Sequence, residues 1–174
     1  MTSSTLAATK TKEESATGSK RGGKYLTFFL AGEEYGTEIL KVQEIIGLMP
    51  ITLLPGAPVY LRGVLNLRGT VIPVLDLRAK FGMEQATETR ETCVIVLCSM
   101  GQRVGIVVDK VSEVVDIPEE CVEDVPLFGI NLNTDYIFGI GKSKGSIRFL
   151  LDIDRVLATP QLVDIHASLQ EIPK

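Results

Sequence analysis

Apolar residues in this chain arrive in short bursts. Runs rich in Val, Ile, Leu and Phe occupy positions 25–30, 71–77, 93–98, 104–108 and 146–151, and each is bounded by Gly, Pro, Asp or Glu. That length and that punctuation predict sheet strands. Nothing in the interior reads as a long amphipathic helix. One stretch, Ile39, Val42, Ile45 and Ile46, carries helical spacing, yet it lies between Gly36 and Gly47. Its β-branched content suits a strand or an irregular turn equally well.

The pattern also repeats. An offset of 76 carries Gly63, Gly69 and Asp76 onto Gly139, Gly145 and Asp152, and the text around them agrees in character. An offset of 69 carries Gly32, Gly36, Lys41, Val42 and Glu44 onto Gly101, Gly105, Lys110, Val111 and Glu113. Eight identities in two ordered blocks predict an internal duplication, with about seven extra residues between the blocks of the second copy. Two copies built of short strands predict an all-β fold of two small closed barrels, since closure removes exposed sheet edges. The first barrel is expected over roughly 24–86 and the second over roughly 92–158, with exchange of a strand between them left open. Each copy ends alike. Asp76 caps a brief helical turn stopped by Gly82, and Asp152 or Asp154 caps another that ends before Pro160.

The ends of the chain read differently. Positions 1–23 hold only Met1 and Leu6 as large apolar groups and finish in a basic, glycine-rich stretch, which predicts a disordered tail. Within 159–174, Leu162, Ile165 and Leu169 share one helical face, predicting a short C-terminal helix.

Composition narrows the function. A chain of 174 residues with 45% apolar and 23% charged residues can bury a real core. Its 18 Lys and Arg stand against 22 Asp and Glu, a net charge of −4, and no basic run is long enough to follow a phosphate backbone. That balance points away from nucleic acid as a partner. No stretch approaches the roughly 20 apolar residues of a membrane helix, and the N-terminus lacks a secretory apolar run, so a cytoplasmic protein without direct membrane insertion is expected.

Candidate chemistry is thin. Cys93, Cys98 and Cys121 have no C-x-x-C spacing and His166 is the one histidine, so the cysteines read as small buried hydrophobes. Gly141-Lys142-Ser143 resembles the end of a phosphate loop, but Tyr136 stands where that motif needs glycine and a strand follows it. The pairs Glu33-Glu34 and Glu119-Glu120 point apart in an extended strand and read as solvated charge. No catalytic residue, metal site or cofactor is expected.

What remains is Asn66-Leu67-Arg68-Gly69, polar residues between two apolar runs. As structure alone, this is a tight turn with a solvated arginine. As function, the turn displays a fixed guanidinium suited to anchoring a protein interface. The second copy has Lys142-Ser143-Lys144-Gly145 at the matching place, so the fold did not require Asn and Arg there, which favours function for Arg68.

These residues also carry a likeness. Glu34-Tyr35-Gly36, the run from Ile39 to Ile45, Arg62-Gly63-Val64-Leu65-Asn66-Leu67-Arg68-Gly69 and Pro73-Val74-Leu75-Asp76-Leu77-Arg78 closely resemble the CheW coupling proteins of bacterial chemotaxis. Gly105-Ile106-Val107-Val108-Asp109 and Tyr136-Ile137-Phe138-Gly139 continue it, so the resemblance spans roughly 24–157. It implies two Src-homology-3-like barrels and a non-catalytic adaptor that bridges the cytoplasmic tips of methyl-accepting chemoreceptors to the regulatory domain of the histidine kinase CheA, at membrane receptor arrays. It further implies that Ile39, Val42, Glu44, Gly63 and Arg68 lie at or near the receptor contact, in the groove between the barrels. Gly69 and Gly105 are implied to shape loops close by, and no residue is assigned to the kinase contact. The alternative of another class is a β-barrel binding a small molecule or an RNA strand. Against RNA stand the absence of Trp, an aromatic content of 6% and the acidic balance.

Overall fold

The computed structural model describes residues 21–125 and 136–158. The expected N-terminal tail up to position 20, His166 and the expected terminal helix lie outside these residues. Among the described residues, eleven strands and two short α-helices follow one another. They are β1 (Gly23–Leu30), β2 (Glu33–Glu38), β3 (Val42–Gly47), β4 (Leu61–Leu67), β5 (Thr70–Asp76), α1 (Leu77–Lys80), β6 (Cys93–Ser99) and β7 (Gln102–Val108). The second half adds β8 (Lys110–Ile117), β9 (Val122–Glu123), β10 (Ile137–Ser143), β11 (Ser146–Leu151) and α2 (Ile153–Leu157). The stretch with helical spacing is a 3-10 turn over Ile39–Lys41 followed directly by β3, so turn and strand share it.

The strands form two sheets, one of six in the order β8-β1-β2-β11-β10-β9 and one of five in the order β3-β6-β7-β5-β4. The units are therefore not consecutive along the chain. The opening hairpin of each repeat leaves its own repeat and joins the later strands of the other. A whole hairpin is traded in each direction, not a single strand. At one junction β2 lies parallel to β11 with Leu150 opposite Gly36, and at the other β5 lies parallel to β7 with Val74 opposite Gly105. The offsets of 76 and 69 interconvert these residues, so the two parallel junctions are one contact made twice.

Burial explains why the central runs are continuously apolar. In β6, Cys93, Ile95 and Leu97 face a core shared between the sheets, while Val94 and Val96 face a second cluster inside the five-stranded sheet with Leu65, Ile72 and Val74. Strands covered on both faces lose the polar alternation of half-exposed ones. A third cluster, Tyr25, Val115, Ile117, Val122 and Leu150, fills the six-stranded sheet. Each fully buried Leu, Ile, Val or Phe contributes about 1.5–3 kcal/mol to folding.

Turn chemistry closes the hairpins. The connections Ala31-Gly32, Arg68-Gly69, Met100-Gly101 and Lys144-Gly145 each have φ of 51° or 52° at the first residue and of 75° to 87° at the glycine. Two positive φ values in a two-residue loop match the right-handed twist of the flanking strands. The helices are capped as the repeat requires. The Asp76 side chain accepts from the Ala79 N–H, and the Asp152 side chain, not that of Asp154, accepts from the Arg155 N–H. Gly82, with φ of 73°, ends the first turn.

Two readings of single residues are corrected. Glu34 is not solvated: its side chain is 12% exposed and accepts from Arg148 Nε at 2.8 Å, because β2 runs beside β11 and points it into the six-stranded sheet. Gly105 shapes no loop. It sits inside β7, where an added Cβ would come within 2.7 Å of Val94 Cγ1 at the parallel junction. The cysteines are free, Cys93 buried in the shared core and Cys98 and Cys121 half-buried.

Candidate functional site

The β4–β5 turn presents Arg68. Glycine follows it because only a residue without Cβ takes φ of 87° without strain, and the Gly69 N–H donates to the Asn66 side-chain oxygen at 2.9 Å. That bond fixes the turn from the strand side. The Arg68 side chain is 69% exposed, and its guanidinium is held by the carboxylate of Glu44 on β3. Since β3 and β4 stand at opposite ends of the five-stranded order, this ion pair spans the two margins of a sheet that curls. An isolated bridge between Thr52, beyond the end of β3, and Val64 of β4 brings the chain that follows β3 back against β4.

Gly63 makes that approach feasible. It has φ of 141°, and a Cβ there would lie 2.1 Å from the Thr52 carbonyl oxygen. The two chains meet so closely that no side chain fits. Ile39 and Val42 have a different setting: both are half-buried and rest against the core between the sheets. Of the residues expected at one contact, the structure joins Glu44 to Arg68 directly, places Gly63 and Gly69 in the framework of the same margin, and sets Ile39 and Val42 at the seam between sheets. Gly105 lies elsewhere, in the covered part of β7.

Both margins of the sheet also expose an apolar side chain. Ile45, next to Glu44, is 45% exposed, and Val71, opposite Asn66 across the β4–β5 pair, is 40% exposed. The offsets that define the repeat carry these two onto Val114 and Ile147, which are also exposed. The sequence carries an apolar residue at both positions in each copy.

A second set of charges went unread. Asp109, between β7 and β8, accepts from Arg78 Nε at 2.8 Å and from the Ala31 N–H at 2.9 Å. The Arg78 hydrogen bond holds its carboxyl below the usual range, helped by the Ala31 N–H, and burial opposes the shift. At the other junction Lys41 Nζ lies 3.1 Å from Asp154, which also accepts from the Ser99 hydroxyl at 2.5 Å. The Ser99 hydroxyl first and Lys41 next hold the Asp154 carboxyl low.

Catalytic and cofactor chemistry find little here. Among the described residues no three His, Cys, Asp or Glu side chains are placed to hold a metal ion, and no helix is long and apolar enough to cross a membrane. Lys142 of the phosphate-loop look-alike is in β10, paired with Glu123 at 3.0 Å. A groove of about 590 Å³ carries both charge signs, and its cations are engaged, Arg21 by Asp124 at 2.7 Å and Lys41 by Asp154 at 3.1 Å. Tyr35 stacks on Phe28 and tilts against Phe81 and Phe149, so these rings turn inward and offer no platform for bases.

Known proteins agree with this geometry. A model of the CheW-like domain matches residues 24–161. The chemotaxis protein CheW of Klebsiella aerogenes is 42% identical over 142 residues, covering 81% of this chain and 85% of that one. The CheW of Bacillus subtilis is 33% identical over 139 residues, covering 79% and 88%. The crystal structure of the scaffolding protein TtCheW from Thermoanaerobacter tengcongensis superposes with a TM-score of 0.74 at 31% identity, over 80% of this chain and 95% of that one. With most of its length matched in sequence and in strand layout, this chain belongs to the CheW family of chemotaxis scaffold proteins.

Proposed function

We propose that this chain is a non-catalytic adaptor that couples methyl-accepting chemoreceptors, through their cytoplasmic tips, to the regulatory domain of the histidine kinase CheA. It works in the cytoplasm, recruited to receptor arrays at the membrane. The observation that carries the reading is the Arg68 turn. A guanidinium fixed at a two-residue hairpin and oriented by Glu44, on a hairpin that also exposes Val71 opposite Asn66, has the make-up of an interface anchor. Glu44 and Arg68 form the receptor contact, Ile39 and Val42 border it along the seam, and Gly63 and Gly69 keep the backbone in the shape it needs.

An adaptor without a reaction transmits a signal by binding the active and inactive states of its partners unequally, with coupling energies of about 1–3 kcal/mol. Reversing the charge at Arg68 removes the anchor and sets a like charge against Glu44 of β3. Arg68→Glu is expected to weaken receptor binding by about 2 kcal/mol or more, roughly thirtyfold, with folding retained. Co-sedimentation with receptor-bearing membranes measures it, circular dichroism checks the fold, and a folded variant that sediments like the unchanged protein defeats the proposal.

A further inference from the structure

We propose that the β1–β2 hairpin is an exchangeable arm: released at the Ile39–Lys41 turn, it docks on the β8–β11 strands of a second copy of this chain, and two charged clasps slow that exchange. The arm's lateral pairings all lie on the far half of the molecule. β1 pairs with β8 and β2 with β11, and the arm makes no strand pair with β3, which follows it in the chain. The hinge is three residues long, buries none of them and has no side-chain cap hydrogen bond.

An arm of this kind keeps its contacts wherever it docks. Leu26, Phe28, Leu30 and Tyr35 enter the shared core between the sheets from a hairpin joined to the rest by that one turn. Docked on a second copy, they meet the same side chains, so the difference between closed and exchanged forms reduces to the hinge and to association entropy. Short hinges at such a crossing are where domain exchange arises.

The clasps act on the two ends of the arm. At the hinge, Lys41 Nζ reaches both oxygens of Asp154 at 3.1 and 3.2 Å, and Asp154 belongs to α2 beside the docking strands. At the tip, Asp109 accepts from the Ala31 N–H at 2.9 Å while its own N–H donates to the Phe29 carbonyl at 3.1 Å, and Arg78 braces the carboxylate. Both must open before the arm leaves. An exchanged pair carries two Arg68 turns, a consequence that, unlike the exchange itself, rests on the docking function proposed above.

Lys24 and Asp116 are exposed neighbours across β1 and β8, which makes them a reporter. In full-length chain with Cys98→Ser and Cys121→Ser, the pair Lys24→Cys and Asp116→Cys oxidises within one chain when the arm is home and between chains when it has exchanged. Refolding at high concentration is expected to give a dimer whose mass light scattering measures and whose 24–116 link runs between chains, seen as a dimer band in a denaturing gel that reduction abolishes. Adding Asp154→Asn or Asp109→Asn is expected to bring the same dimer under native conditions about tenfold faster, the effect of losing one charge-assisted hydrogen bond from the closed state. No interchain 24–116 bond after concentrated refolding overturns the exchange, a result independent of whether the clasp variants fold. Equal rates with and without the clasps overturn their role.

Discussion

The two sheets place a glutamate at the same point of the repeat and then part ways. Glu44 on β3 pairs with Arg68, whose side chain is 69% exposed on a turn, whereas its counterpart Glu113 on β8 lies 3.8 Å from Arg148, which is 4% exposed. Arg148 also donates to Glu34 and, at 3.0 Å, to the carbonyl of Ser143. These partners of Arg148 all come from within the six-stranded sheet. Arg68 has one partner and a face turned outward. The two copies therefore share an acidic strand position and pair it with cations at non-equivalent places, sealed at Arg148 and displayed at Arg68, and burial separates the structural arginine from the one available to a partner.

Removing the sealed arginine is the severest way to break the comparison. Arg148→Met leaves Glu34 charged, 12% exposed and without its cation, and truncating one partner of a buried pair costs about 3–5 kcal/mol. Urea unfolding should show a loss of about 3 kcal/mol. Adding Glu34→Leu should recover most of it, because two apolar groups of similar volume replace a desolvated pair without cost. If the single variant unfolds at the same urea concentration as the parent, Arg148 is not structural and the contrast with Arg68 fails.

The clasps offer a milder test. Asp109 and Asp154 both titrate below an unfolded aspartate, which ionises near pH ~3.9. A depressed carboxyl contributes its full stabilisation above the unfolded pKa and loses it as pH falls through the folded value. Stability should therefore hold between neutrality and about pH 5 and fall below about pH 4. Asp109→Asn should lower the neutral plateau and flatten the acid limb, and Asp154→Asn should do so less, since its Lys41 partner is 32% exposed against 17% for Arg78. Thermal unfolding at stepped pH reads both.

Much of this was legible in advance. Gly63, Gly69 and Asp76 with their counterparts announced the duplication, because Gly69 and Gly145 close the same turn at positive φ, a Cβ on Gly63 or Gly139 would collide with a neighbour, and Asp76 and Asp152 cap the same helical turn. The runs 93–98 and 104–108 announced strands. The hairpin trade was not legible, since a hairpin of this pattern buries the same faces on either half, and the choice lies in which strands β2 and β7 meet. Glu34 read as solvated for a related reason: its partner Arg148 is remote in sequence and comes near only through that trade. At the site, the pattern marked Arg68, while its pairing with Glu44 depends on how far the five-stranded sheet curls.

The smallest expected effect is the sharpest test of the comparison. Arg68 and Lys144 occupy the same turn position with φ of 51° and 52°, a conformation costly for both and easy for asparagine. Arg68→Asn and Lys144→Asn should each raise stability by a few tenths of a kcal/mol, the first offset in part by loss of its solvent-exposed pair with Glu44. Denaturation midpoints should thus move little, and in the same direction, for the two turns. Receptor binding should not follow: the Arg68 variant is expected to lose it and the Lys144 variant to keep it. Equal loss in both would mean that turn geometry, which the two copies share, carries the contact, and that the guanidinium they do not share is incidental.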